Sequence, residues 1–199
     1  DAVRITTPAG DPERGGHVLW IGGDVLAPAG IRRTAEAGGD PAAAFARVLA
    51  PAAEIWRADG DRALVLVNLE SPVARRRNRR EDALERVDEI RERTGRRFAP
   101  VPLNAPRWVP AGLARAGVHA VTLANNHALD QGRAGLGETI ASARAAGLQT
   151  VGAGRVPERH APLVLERGGV RTAVFALFER DDPEPGRVDR RPGLSLMRP

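Results

Sequence analysis

Short apolar runs alternate with stretches of helical periodicity along most of the chain, and polar residues of a few types follow the runs. His17-Val-Leu-Trp-Ile21 is the first run, and it leads into Gly22-Gly23-Asp24. Asp40 reads as a helix N-cap with Pro41 at the first helical position. Phe45, Val48, Leu49, Ala52 and Trp56 then fall at helical spacing, which predicts one helix. Ala63-Leu-Val-Leu-Val67 is continuous rather than alternating, as expected of a strand covered on both faces, and it delivers Asn68-Leu69-Glu70. A further helix is predicted from Asn104 or Ala105, with Pro106 near its start, Trp108, Val109 and Leu113 facing inward, and Gly117 closing it.

Val118 to Ala124 is the third strand and runs into Asn125-Asn126-His127-Ala128-Leu129-Asp130. A helix from about Arg133 to Ala146 follows, with Leu136, Ile140 and Ala143 inward and Gly147 at its end. Leu148 to Val151 is a short strand, and Gly152-Ala153-Gly154 reads as a turn rather than a phosphate cradle, because no helix N-terminus follows it. Leu163-Val-Leu165 and Arg171 to Phe178, separated by Gly168-Gly169, predict an antiparallel hairpin after the parallel unit. Strands alternating with helices predict an α/β fold with a mainly parallel sheet.

Three regions lack this pattern. Residues 1–16 read as a loose leader and 181–199 as an irregular tail, so the domain proper spans 17–180. Residues 75–97 form an arginine-rich insertion or lid, in which Glu81 to Arg93 is predicted as an exposed helix with a thin apolar stripe.

Composition narrows the chemistry. The 199 residues are 42% hydrophobic and carry a net charge of +5, with no cysteine, and every one of the thirty basic residues is arginine. Thiolate metal sites, cysteine nucleophiles, Schiff-base lysines and the lysine of a Walker loop are thereby absent. A metal would have to be bound by oxygen and imidazole. The arginine excess would suit anionic partners, but a genome-wide arginine bias explains it better, since Asp and Glu are interspersed with the arginines. Nucleic acid ranks last among these, because a charged run is usually a solvated face and only four Phe and three Trp, with no Tyr, are available for stacking. No apolar run approaches the length of a membrane span, and the compartment stays unassigned, since the chain opens on Asp rather than Met.

The polar residues at the strand ends are the candidate chemistry. Parallel strands present their C-termini at one sheet edge, so Asp24, Glu70 and Asn126-His127 should converge there. Carboxylate and amide oxygens with an imidazole suit Mn, Mg, Fe or Zn, and such an ion acidifies water or polarises a phosphoryl or acyl oxygen.

Gly23-Asp24-Val25, Asn68-Leu-Glu-Ser-Pro72, Ala124-Asn-Asn-His-Ala-Leu-Asp130 with Gly132, and Gly152-Ala-Gly154 leading to Ala161-Pro162 resemble, in this order, the capsule-biosynthesis (CapA, poly-γ-glutamate synthesis) family, which is similar to calcineurin-like metallophosphoesterases. The resemblance implies a metallophosphoesterase-like α/β/β/α sandwich, of which these residues would be the N-terminal half, with one or two divalent metal ions at the strand ends. On that resemblance Asp24, Glu70 and Asn126 would be metal ligands. His127 would be the proton donor or oxyanion stabiliser, Asp130 would orient it, and Asn68 and Asn125 would position backbone or substrate.

Two departures stand beside the match. Leu26 occupies the place where that superfamily has a histidine, and the further histidine motifs of its second half have no counterpart, since His17, His119 and His160 read as structural. A halved sandwich would leave an apolar sheet face in water, so a missing C-terminal half or a partner chain is expected to cover it. The implied function is a metal-dependent enzyme hydrolysing or transferring an anionic polymer or peptide-like substrate with metal-activated water and His127 as acid. A peptide Cα epimerase using the same site and a non-catalytic subunit of capsule or poly-γ-glutamate synthesis or export are the alternatives.

Overall fold

The computed structural model describes residues 3–5, 17–75, 102–155, 158–167, 169–179, 193–194 and 196–197. Most of the insertion, with its predicted helix over Glu81 to Arg93, lies outside the described residues. The central sheet has the order β1-β2-β3-β4-β5, formed by Val3–Ile5, Val18–Val25, Ala63–Leu69, Ala120–Thr122 and Gln149–Val151. Strands β2 to β5 are parallel, and β1 pairs antiparallel with β2 along Val3↔Ile21, Arg4↔Trp20 and Ile5↔Leu19. The leader therefore supplies an edge strand where the sequence shows no periodicity. Three residues are too few to establish a period, and it is pairing with β2 that makes them a strand.

Helices α1 (Ala29–Glu36), α2 (Pro41–Val48), α3 (Ala50–Arg57), α4 (Val109–Arg115) and α5 (Gly132–Ala145) flank the sheet. The Asp40 side chain accepts the Ala43 N–H at 3.1 Å, as its N-cap position predicts. The single helix expected through Trp56 is instead broken at Leu49. Pro51 has no N–H, and its ring would meet the Arg47 carbonyl in a continuous helix, so α3 starts afresh with the proline in its first turn. Helix α4 starts later than expected, at Val109, after a turn at Arg107 and Trp108.

Successive residues of β3 serve opposite layers. Val65, Val67 and Leu69 join Phe45, Val109, Leu113, Leu136, Ile140 and Leu148 in the main core beneath the helices. Leu64 and Leu66 face the other way and pack with Ala120 and Leu165, against Leu19, Leu163 and Val174. The second layer is the predicted hairpin, β7 (Leu163–Arg167) with β8 (Val170–Val174), after β6 (Ala153–Gly154). Strand β8 ends earlier than expected, and Phe178–Glu179 forms a separate short strand, β9. Leu64 and Leu66 are buried, so the open apolar face expected of the sheet is covered there by the hairpin. In the hairpin and the segment after it, the apolar side chains of Val164, Val170, Phe175 and Leu177 are exposed. In the tail, Gly193–Leu194 (β10) pairs with β6 and Leu196–Met197 (β11) with β9.

Two glycines are required where the sheet is tightest. A Cβ on Gly22 would stand 3.0 Å from Val67 Cγ1. Gly152 has φ +86°, and a Cβ there would lie 2.7 Å from Ala124 Cβ and 2.8 Å from Ala176 Cβ. At Gly22-Gly23 the register between β2 and β3 shifts: Ile21 pairs with Leu66 but Asp24 pairs with Asn68, so three steps along β2 match two along β3. Among the described residues, no helix is long and apolar enough to cross a membrane.

Candidate functional site

Register builds the site. Asp24, Asn68 and Thr122 occupy matching positions on β2, β3 and β4. The Asn68 amide group donates to Asp24 Oδ1 at 2.8 Å and to Glu70 Oε2 at 2.5 Å. Its carbonyl oxygen accepts from Thr122 Oγ1 at 3.1 Å and from Asn125 Nδ2 at 3.0 Å. One side chain thus uses both amide hydrogens on two carboxylates and its oxygen on two neighbours, which leaves it no freedom to turn.

The turn after β4 brings in the imidazole. Asn125 is buried, donates to the Leu69 carbonyl at 3.1 Å and accepts the His127 backbone N–H at 3.1 Å. His127 Nδ1 stands 2.8 Å from Asp130 Oδ2, and its Nε2 faces Glu70 Oε1 at 3.8 Å. A carboxylate oxygen only accepts, so this contact puts the ring proton on Nδ1 and turns Nε2 toward the acids.

Glu70 is buried. Burial, and next the neighbouring Asp24 charge, push its carboxyl above the ordinary range, while the Asn68 hydrogen bond and His127 pull the other way. Two carboxylates tied to one amide, one of them exposed at Asp24, form an oxygen-rich corner whose mutual repulsion a cation would relieve. That donor set fits a hard divalent ion. Among the described residues, no group of three or more His, Asp or Glu side chains is arranged to hold a metal, so amide oxygens would have to complete the ligand set.

The structure brings together Asp24, Asn68, Glu70, Asn125, His127 and Asp130 through these contacts. Asn126 lies on the same turn with its side chain exposed and no hydrogen bond among the described residues, so the amide inside the network is that of Asn125. Sequence reasoning did not find Thr122, a polar residue inside an apolar strand whose only signal is its register with Asn68. It also did not find the Leu103 backbone N–H, which donates to Asp130 Oδ2 at 2.6 Å, nor Gln131, whose Nε2 donates to the Leu103 carbonyl at 2.8 Å.

A parallel α/β sheet with hairpin and helical layers, and an acid–amide–imidazole cluster at its strand ends, defines the class. The family model for the bacterial capsule synthesis protein PGA_cap matches residues 18–195, and the chain belongs to that family. Membership ties it to bacterial capsule synthesis. No match was found among curated proteins.

Proposed function

We propose that the chain is a metal-dependent enzyme of capsule metabolism that hydrolyses or transfers an anionic polymer or peptide-like substrate, of which poly-γ-glutamate is the leading candidate. The observation that carries this reading is the Asn68 amide holding the Asp24 and Glu70 carboxylates together, with His127 Nε2 directed at Glu70. Asp24 and Glu70 would hold a divalent cation, with the Asn126 amide free to join them, and the cation would supply Lewis acidity for water or an acyl or phosphoryl oxygen.

The chain's own residues do the rest. His127 gives a proton from Nε2 to the leaving group, and Asp130, facing Nδ1, keeps the ring aimed. Asn68 keeps the two acids from parting, and Asn125 ties the His127 turn to β3. The net charge of +5 favours association with polyanions.

The test is turnover of an anionic capsule polymer with and without added Mn²⁺ or Mg²⁺, in the wild type and in His127→Ala and Asn126→Ala. Loss of metal-dependent turnover in both variants, with circular dichroism unchanged, is expected. Unchanged turnover overturns the assignment of these residues. A protein that takes up no stoichiometric metal belongs instead to a non-catalytic subunit of synthesis or export.

The Glu70–His127 pair supports a second reading. An acid whose proton affinity is raised, facing an imidazole, suits removal and return of a Cα proton, which is peptide epimerisation. Deuterium uptake from heavy water without bond cleavage distinguishes it.

A further inference from the structure

The two limbs that flank residues 76–101 are tied to each other and to the site. On the outgoing limb Ser71, Pro72, Val73 and Ala74 are buried, and Val73 N–H donates to Thr139 Oγ1 at 2.8 Å. On the returning limb Ala105 N–H donates to the Pro72 carbonyl at 2.7 Å, and Asn104 Oδ1 accepts the Ala74 N–H at 3.1 Å. Leu103, between these ties and the His127 turn, gives its N–H to Asp130 and takes the Gln131 amide on its carbonyl.

Asp130 Oδ2 therefore accepts from two donors, Leu103 N–H and His127 Nδ1. A backbone N–H on a pinned limb fixes that accepting oxygen more firmly, because the donor has no torsion of its own to follow a turning carboxylate. We propose that Leu103 is a positioning residue, whose backbone N–H locks the Asp130 carboxylate and thereby the Nδ1–H tautomer and aim of His127, with Gln131 holding Leu103 in place. The catalytic consequence rests on His127 being the proton donor. The positioning itself does not.

The experiment substitutes Leu103→Pro, which deletes that N–H, and Gln131→Met, which keeps the bulk and removes the donor. The ¹⁵N signals of the four histidine rings are recorded at pH 8, and that of His127 is identified by its loss in His127→Asn. In the wild type His127 should carry its proton on Nδ1. Both variants should shift population toward the Nε2–H form, Gln131→Met the less, and kcat on the metal-dependent substrate should fall about tenfold or more with KM little changed. If Leu103→Pro does not fold, Gln131→Met decides alone. A wild-type tautomer ratio in the folded variants overturns the proposal. A shifted ratio in a protein whose wild type shows no turnover upholds the positioning and removes only the catalytic reading.

Discussion

At the scale of single residues, Glu70 is the most informative. Its carboxyl is raised by burial and by the Asp24 charge, so the folded chain holds that proton more tightly than the unfolded chain does. The stabilisation this gives is complete below the ordinary carboxylate value of 4.5 and is lost as pH rises through the higher folded value. Above that folded value, without metal, the ionised side chain opposes folding. Glu70→Gln should therefore leave the metal-free melting temperature unchanged or higher while abolishing the upward shift produced by Mn²⁺. Thermal melts with and without the ion check both halves, and a retained Mn²⁺ shift would remove Glu70 from the ligand set.

The convergence of Asp24, Glu70 and His127 is legible in the sequence because each follows an apolar run and parallel strands end at a common edge, whereas Asp130 enters only through the family resemblance. The bonding of Asn125 and the parts played by Thr122 and Leu103 are not legible there. The first two depend on which residue of a neighbouring strand stands opposite, and the third is a backbone group that no side-chain pattern reports.

Among the elements, continuous apolar runs located β2, β3 and β4, and the inward residues of α5 were read correctly from their spacing. Helix α1 was not foreseen. Pro28 at its N-cap makes no side-chain hydrogen bond and Ala35 is its only buried residue, so neither a capping signal nor an apolar stripe marks it. The sequence marks Gly152 as a turn former, but the reason for glycine there is tertiary, since Ala124 and Ala176 close on it from two sides. Gly152→Ala combines a disfavoured φ with overpacking and should cost about 1–3 kcal/mol. Urea denaturation should show this as a lower midpoint at unchanged slope.

For the whole molecule, two histidines join the sheet to the hairpin layer. His17 Nε2 lies 2.7 Å from Thr172 Oγ1, and His119 Nε2 lies 2.5 Å from Arg167 Nη2. His119 Nδ1 also accepts the Val65 N–H at 3.1 Å. Burial first, and then the Arg167 guanidinium, hold the His119 ring below the ordinary histidine value of 6.5. The folded chain binds this proton less readily than the unfolded one, so stability is full above 6.5 and falls as pH drops toward the lowered value. His119→Asn, which keeps an acceptor but cannot titrate, should flatten that acid limb of the stability profile. An equally steep decline in the variant would place the acid sensitivity elsewhere.

The irregularity at Gly22-Gly23 lies immediately before the first acid. Leu19 packs toward the hairpin and Trp20 toward the helices, and the bulge takes up one residue, so that Val25 still reaches the helical core while Asp24 meets Asn68. Side chains along a strand alternate strictly between its two sides. Deleting Gly23 alone should therefore restore an even ladder, in which Gly22 stands opposite Val67, Asp24 still meets Asn68 and Val25 still meets Leu69. Such a chain should still respond to divalent ions in a thermal melt, and loss of that response would show that the bulge itself aims the carboxylate. Insertion of a single glycine in the loop after Val25 should likewise leave that response intact.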